Sequence, residues 1–154
     1  MKRLASAPTT NTGTTLLDIL RRTAREYGHL IVGEESHSKL ECGLYKIEYD
    51  QYQMNGGIDE VLRYDNCVAT ASFRNRLSDG KVQLAYWVQT PYQAEQIEFL
   101  RRSGTKIGQM LSQNSQWLQG DERKASVLKC VELPDVSDVY PFLTEHIEQR
   151  RKTF

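Results

Sequence analysis

Apolar positions along this chain change period several times, and the changes outline its elements. From Thr15 to Gly28 the residues Leu17, Leu20, Ala24 and Tyr27 fall at helical spacing, with Thr15 and Asp18 placed as a capping box and Gly28 as a stop. From Gly43 to Tyr52 the period drops to two. Tyr45, Ile47 and Tyr49 alternate there with Lys46, Glu48 and Asp50, which predicts a half-buried strand whose tyrosines either pack in the core or wall an aromatic pocket. Gly56-Gly57 then predicts a turn. Alternation resumes on both sides of Asp79-Gly80, and an Asp-Gly pair between two such runs predicts a hairpin with a two-residue turn. That register pairs Arg74 with Ala85 and Phe73 with Tyr86. It assigns Cys67, Ala69, Ala71, Phe73, Leu77, Val82, Leu84, Tyr86 and Val88 to a core face interrupted only by Asn75, with Cys67 a buried small residue. Thr70, Ser72, Arg74, Arg76, Gln83, Ala85 and Trp87 occupy the other face.

The helical period returns after Val88. Thr90 is placed as a cap, Pro91 as the first helical residue and Gln93 as the closing member of a capping box, followed by Ala94, Ile97 and Leu100 on one stripe. Arg101 and Arg102 suit the last turn, and Gly104 is placed for a left-handed stop. Thr105 to Leu111 reads as a tight loop entering a further helix. The N–H groups of Ile107, Gly108 and Gln109 either face a bound anion or simply belong to a helix connection. A strand from Val127 to Leu133 ends at Pro134, and a last helix opens at Pro141. The turn-rich residues 1–14 are expected to be disordered, and residues 15–154 to form a single α+β domain, a mostly antiparallel sheet flanked by helices.

Composition narrows the function more than the fold. Lysine and arginine balance aspartate and glutamate at 20 each, so no overall field draws the chain to nucleic acid or to an acidic membrane surface. Cys42, Cys67 and Cys130 lack the spacing of a zinc site or a disulfide framework, and His29, His37 and His146 are dispersed, so no metal is expected. No apolar run approaches the roughly 20 residues that span a bilayer. The N-terminal stretch lacks the apolar core of a signal peptide, and a cytoplasmic location is expected.

Arg74 and Arg76 beside Trp87 are the first candidate chemistry, because guanidinium forks match carboxylates and stack on rings. They form either an anion-binding surface or the solvated face of a sheet. The run SDGKVQLAYWVQTP, continuing to LRRSGTKIGQML, together with LIVGEESHSKLE upstream, resembles the chorismate pyruvate-lyases and their relatives over roughly residues 16 to 113. The resemblance implies a chorismate lyase-like fold and elimination of pyruvate from chorismate to leave 4-hydroxybenzoate or a related hydroxybenzoate, without metal or organic cofactor. It implies an arginine for one carboxylate, carried over to Arg74 with Arg76 in reserve. It also implies a late glutamate as proton carrier, for which Glu145 and Glu132 are the two partial matches. His37 stands where that family has an apolar residue near the product, and Ile107 and Gly108, in the loop that matches the family's pattern, are candidate substrate-binding residues through their N–H groups.

Two other readings stand beside this one. The same fold can serve as a non-catalytic binder of small carboxylates, as in effector domains of some bacterial regulators. An unrelated cystatin-like α+β protein would instead show a long first helix cradled by a continuous meander. Sequence leaves monomer and homodimer open.

Overall fold

The computed structural model of the chain describes residues 14–54, 57–114, 126–127, 131–133 and 135–153. The segment 1–13, Gly56 and Cys130 lie outside the described residues.

The first helix, α1 (Leu16–Tyr27), forms as its caps require. The Thr15 hydroxyl accepts from the Asp18 amide, and the Asp18 carboxylate accepts from the Thr15 amide, satisfying two N-terminal donors reciprocally. Gly28 ends the helix at φ 70°, a conformation that glycine adopts without a Cβ penalty. Six strands then run as an uninterrupted antiparallel meander: β1 (Val32–Glu34), β2 (His37–Glu41), β3 (Lys46–Met54), β4 (Gly57–Asp65), β5 (Ala69–Arg76) and β6 (Lys81–Val88). Two short strands, β7 (Ser126–Val127) and β8 (Val131–Leu133), both pair with β6, in place of the single strand expected over 127–133. Helices α2 (Gln93–Arg101), α3 (Lys106–Asn114) and α4 (Val139–Thr153) complete the α+β architecture. Thus α1 lies against β3 and β4 of a continuous antiparallel meander.

One face of the sheet carries the core. Tyr45, Ile47, Tyr49, Leu62, Tyr64, Phe73, Leu84 and Tyr86 meet Leu16 and Leu20 of α1, Leu100 of α2, Ile107 of α3, and Phe142, Leu143 and Ile147 of α4. Each of these side chains is almost fully buried, so burial of apolar area on this one face provides the main driving force. On the opposite face the residues are exposed or half-buried, apart from Asp59.

Register departs from expectation at the β5–β6 hairpin. Arg74 pairs with Gln83 and Phe73 with Leu84, two residues from the anticipated partners, across a four-residue loop from Leu77 to Gly80. The Arg76 carbonyl accepts from Gly80 N–H at 2.7 Å and from Asp79 N–H at 3.3 Å, and Gly80 takes φ 69°. Leu77 donates its N–H to Ile58 of β4 at 3.1 Å, so its backbone is held by the neighbouring strand and its side chain stays outside the core. A shift of two preserves parity, and Ala69, Ala71, Phe73, Val82, Leu84, Tyr86 and Val88 are buried as anticipated.

Four local expectations are corrected. Residues Thr90–Tyr92 form a 3-10 turn, and α2 begins after Tyr92, which makes no side-chain capping bond; Thr90 is therefore not its cap. Arg102, at φ −92°, closes α2, and Gly104 is not in the left-handed region. Cys67 is exposed rather than buried, because it sits at φ 71° on the β4–β5 turn and not in the following strand. Pro141 falls inside the first turn of α4 instead of opening it, where its missing N–H costs nothing.

Candidate functional site

The sheet separates the residues singled out in the sequence. Arg74, Arg76, His37, Trp87 and Glu132 belong to the face opposite the described helices, whereas Glu145, Ile107 and Gly108 lie in the helical layer. His37, Asp50, Val61, Arg74, Gln83 and Glu132 follow one another across six strands in a single row of cross-strand pairs. At the usual strand spacing Arg74 and Glu132 are roughly 10 Å apart along the row.

Arg74 donates through Nε at 2.9 Å and Nη2 at 2.6 Å to one oxygen of Asp59, and Arg76 Nε stands 3.9 Å from the same oxygen. Asp59 is 5% exposed, while the two arginine side chains are 42% and 49% exposed. Their charge is therefore directed inward to a carboxylate of the chain, which the arginines roof. His37 Nδ1 is paired in turn with Asp50. Trp87 is half-buried and Glu132 exposed.

In the helical layer, Glu145 lies over the α2–α3 connection, and the Gly108 and Gln109 N–H groups at the start of α3 are met by Thr105. Glu145 of α4 accepts from the Ser103 hydroxyl, from Gly104 N–H at 3.0 Å and from the Thr105 hydroxyl at 3.3 Å. Thr105 in turn accepts from Gly108 N–H at 3.1 Å, capping the helix. Ile107 is fully buried, and Glu145 acts as a tie between α4 and the α2–α3 connection. Gly108 has a packing role in this tie: a Cβ there would lie 2.0 Å from Ser103 Oγ and 2.4 Å from Ser103 Cβ. Gly108→Ala is expected to destabilise by about 1–2 kcal/mol, since overpacking outweighs the better helix propensity of alanine. Urea denaturation checks this, and a stabilised variant would contradict the reading.

A cleft of about 210 Å³ opens instead at the end of the sheet where β4 turns into β5. Asn66, Cys67 and Val68 supply one wall, Tyr92, Glu95 and Gln96 another, and Gln149 and Arg150 of α4 the third. Hydrogen bonds within the turn make it rigid. Asn66 Oδ1 accepts from Val68 N–H at 2.9 Å and Ala69 N–H at 2.8 Å, Asn66 Nδ2 donates to the Tyr64 hydroxyl at 3.0 Å, and Cys67 N–H reaches Asp65. These bonds hold Cys67 in the left-handed region, a costly conformation for a residue with a Cβ, and present its free thiol to solvent. Arg150 Nε donates to the Leu44 carbonyl at 3.2 Å, fixing the guanidinium stem across the β2–β3 loop.

Beneath the cleft lies a polar chain inside an aromatic box. Gln96 and Gln149 face each other through their amides at 3.4–3.5 Å, and Gln96 Nε2 donates to the Tyr86 hydroxyl at 2.9 Å. Tyr86 is 2.7 Å from His146 Nε2, while His146 Nδ1 is 3.0 Å from the Phe142 carbonyl. A carbonyl only accepts, so Nδ1 carries the proton, and Nε2 accepts from Tyr86. Phe142, Phe99, Tyr86 and Tyr64 surround the imidazole, with ring centroids 4.3–5.9 Å away. Burial lowers the His146 pKa to about 4, against the opposing pull of the Phe142 carbonyl, and burial raises that of Tyr86. Among the described residues no group of three His, Cys, Asp or Glu side chains is placed to hold a metal, and no helix is long and apolar enough to cross a membrane.

Sequence reasoning missed Asn66, Gln96, Gln149 and Arg150. Asn66 at the end of an alternating run is a turn signal, but the two glutamines read as ordinary polar helix positions. Comparison of the chain with protein-family models, curated proteins and solved structures returned no match.

Proposed function

We propose that this domain is a non-catalytic binder of a small hydroxylated carboxylic acid, held in the cleft between the β4–β5 turn, the start of α2 and the end of α4. The observation that carries this reading is convergence: three separate segments bring a guanidinium, two amides and a carboxylate to one concave site above a rigid aromatic base. Arg150 supplies the cation for a carboxylate, and Glu95 at the opposite wall accepts from a hydroxyl. A volume of about 210 Å³ is below that usual for drug-sized ligands, which favours a guest of single-ring size.

The test is a calorimetric and thermal-shift titration with 4-hydroxybenzoate and chorismate. Saturable binding that raises the melting temperature is expected, with about tenfold weaker affinity in Arg150→Gln. Because Arg150 also holds the Leu44 carbonyl, a second block is needed: a bulky maleimide on Cys67, in protein carrying Cys42→Ser and Cys130→Ser, is expected to abolish binding. Unchanged affinity in both forms would remove the proposal. Elimination of pyruvate from chorismate rests on the family resemblance, and its expected arginine is engaged by Asp59. Mass spectrometry of the same chorismate incubation separates the two readings, since binding alone leaves the substrate intact.

A further inference from the structure

The chain has zero formal net charge, yet three of its arginines project from one helix into one concave space. Arg21, Arg22 and Arg25 of α1 line a groove of about 400 Å³ that is closed on the other side by Ser137 and Tyr140. Spacings of three and four residues bring Arg22 and Arg21, respectively, alongside Arg25, an arrangement of like charges that repels unless an anion intervenes. Two carboxylates reach the groove. Asp18 is engaged with the Thr15 amide at 2.9 Å in the capping box, and Glu35 stands 3.5 Å from Arg21 on the exposed rim. A third acid, Asp138, sits between Ser137 and Tyr140; one of its oxygens is buried without a hydrogen-bond partner, and among the described residues it forms no ion pair with the arginines. Among the described residues no carboxylate pairs with Arg22 or Arg25. Arg22 is nevertheless positioned: its guanidinium carbon lies 3.8 Å from the centroid of the Tyr140 ring, and this stacking limits the freedom that binding would otherwise remove.

We infer that this groove is a second binding site, distinct from the cleft at the far end of α4, and that its ligand is a small organic phosphate gripped by Arg22 and Arg25. Phosphate fits better than a single carboxylate here. Its three oxygens and near-double charge engage two guanidinium forks at once, while a lone carboxylate matches one. Arg21 completes the site by exchanging Glu35 for the incoming anion, a small loss because that pair is exposed.

The probe is pyrophosphate, titrated into the whole protein at fixed ionic strength and followed by calorimetry and by amide chemical shifts. Saturable binding with shifts confined to α1 and the Ser137–Tyr140 segment is expected. Affinity should fall about tenfold or more in Arg22→Gln and in Arg25→Gln, whose side chains are at the surface and whose folding is checked by circular dichroism. Arg74→Gln should leave it unchanged. Equal weakening by sodium sulfate or chloride at matched ionic strength, or shifts spread over all arginines, would mean diffuse screening and overturn the site. Blocking Cys67 leaves this titration intact, so loss of carboxylate binding at the cleft and loss of phosphate binding here are independent results.

Discussion

Glu60→Ala is expected to cost about 3–5 kcal/mol of folding stability. The Glu60 carboxyl group is 1% exposed and accepts three hydrogen bonds: from the Leu16 amide at 2.9 Å, from Asn75 Nδ2 at 3.0 Å and from the Tyr49 hydroxyl. It thereby joins the first turn of α1 to β3, β4 and β5. Truncation leaves all three donors buried without that acceptor. Glu60→Gln keeps one acceptor oxygen and the side-chain shape, so its loss should be smaller, about 1–2 kcal/mol. Urea denaturation at neutral pH measures both. A Glu60→Ala protein within 1 kcal/mol of the parent, by order of magnitude, would mean that these bonds are replaced by solvent.

The second large effect is a pH dependence located at His146. Above pH 6.5 the imidazole is neutral in both folded and unfolded chains, so it adds no slope. Below that value the unfolded chain takes up a proton that the folded chain refuses until about pH 4, because burial among Phe142, Phe99, Tyr86 and Tyr64 lowers the folded pKa. Stability contributed by the neutral ring is therefore complete above pH 6.5 and is lost as pH falls toward 4. The slope is about 1.4 kcal/mol per pH unit, roughly 3 kcal/mol over the window. His146→Gln removes that slope while sharing every carboxylate titration with the parent. Denaturation midpoints at pH 7 and pH 4.5 in the two proteins isolate the histidine. Parallel pH profiles would show that the ring is not buried as a neutral base.

These two residues also explain which parts of the molecule the sequence made legible. Elements whose causes are local were readable: the Thr15–Asp18 capping box and Gly28 stop of α1, and the alternation of Tyr45, Ile47 and Tyr49 in β3. The β5–β6 faces were readable for a subtler reason, because the register error was even and parity survived it. Strand β4 was hidden. Asp59 and Glu60, adjacent acids in its interior, break the alternation, and both are buried only because partners arrive from elsewhere, Arg74 and Arg76 on one face and Leu16, Tyr49 and Asn75 on the other. Asn75, which interrupted the apolar face in the sequence, is one of those partners. Glu145 and the Ser103–Gly108 loop were each recognised as polar features, but nothing local indicates that the first satisfies the second. The cleft was least visible of all, because Asn66, Gln96 and Arg150 become neighbours only through the packing of α2 and α4 on the sheet.

We propose that ligand recognition takes place at the cleft between the β4–β5 turn, α2 and α4, and not at Arg74 and Arg76. Amide chemical-shift mapping with 4-hydroxybenzoate tests it directly. Perturbations centred on Asn66, Cys67, Gln96, Gln149 and Arg150 are expected, with Arg74, Arg76 and His37 unmoved; perturbations centred on Arg74 and Arg76 would place recognition on the other face of the sheet.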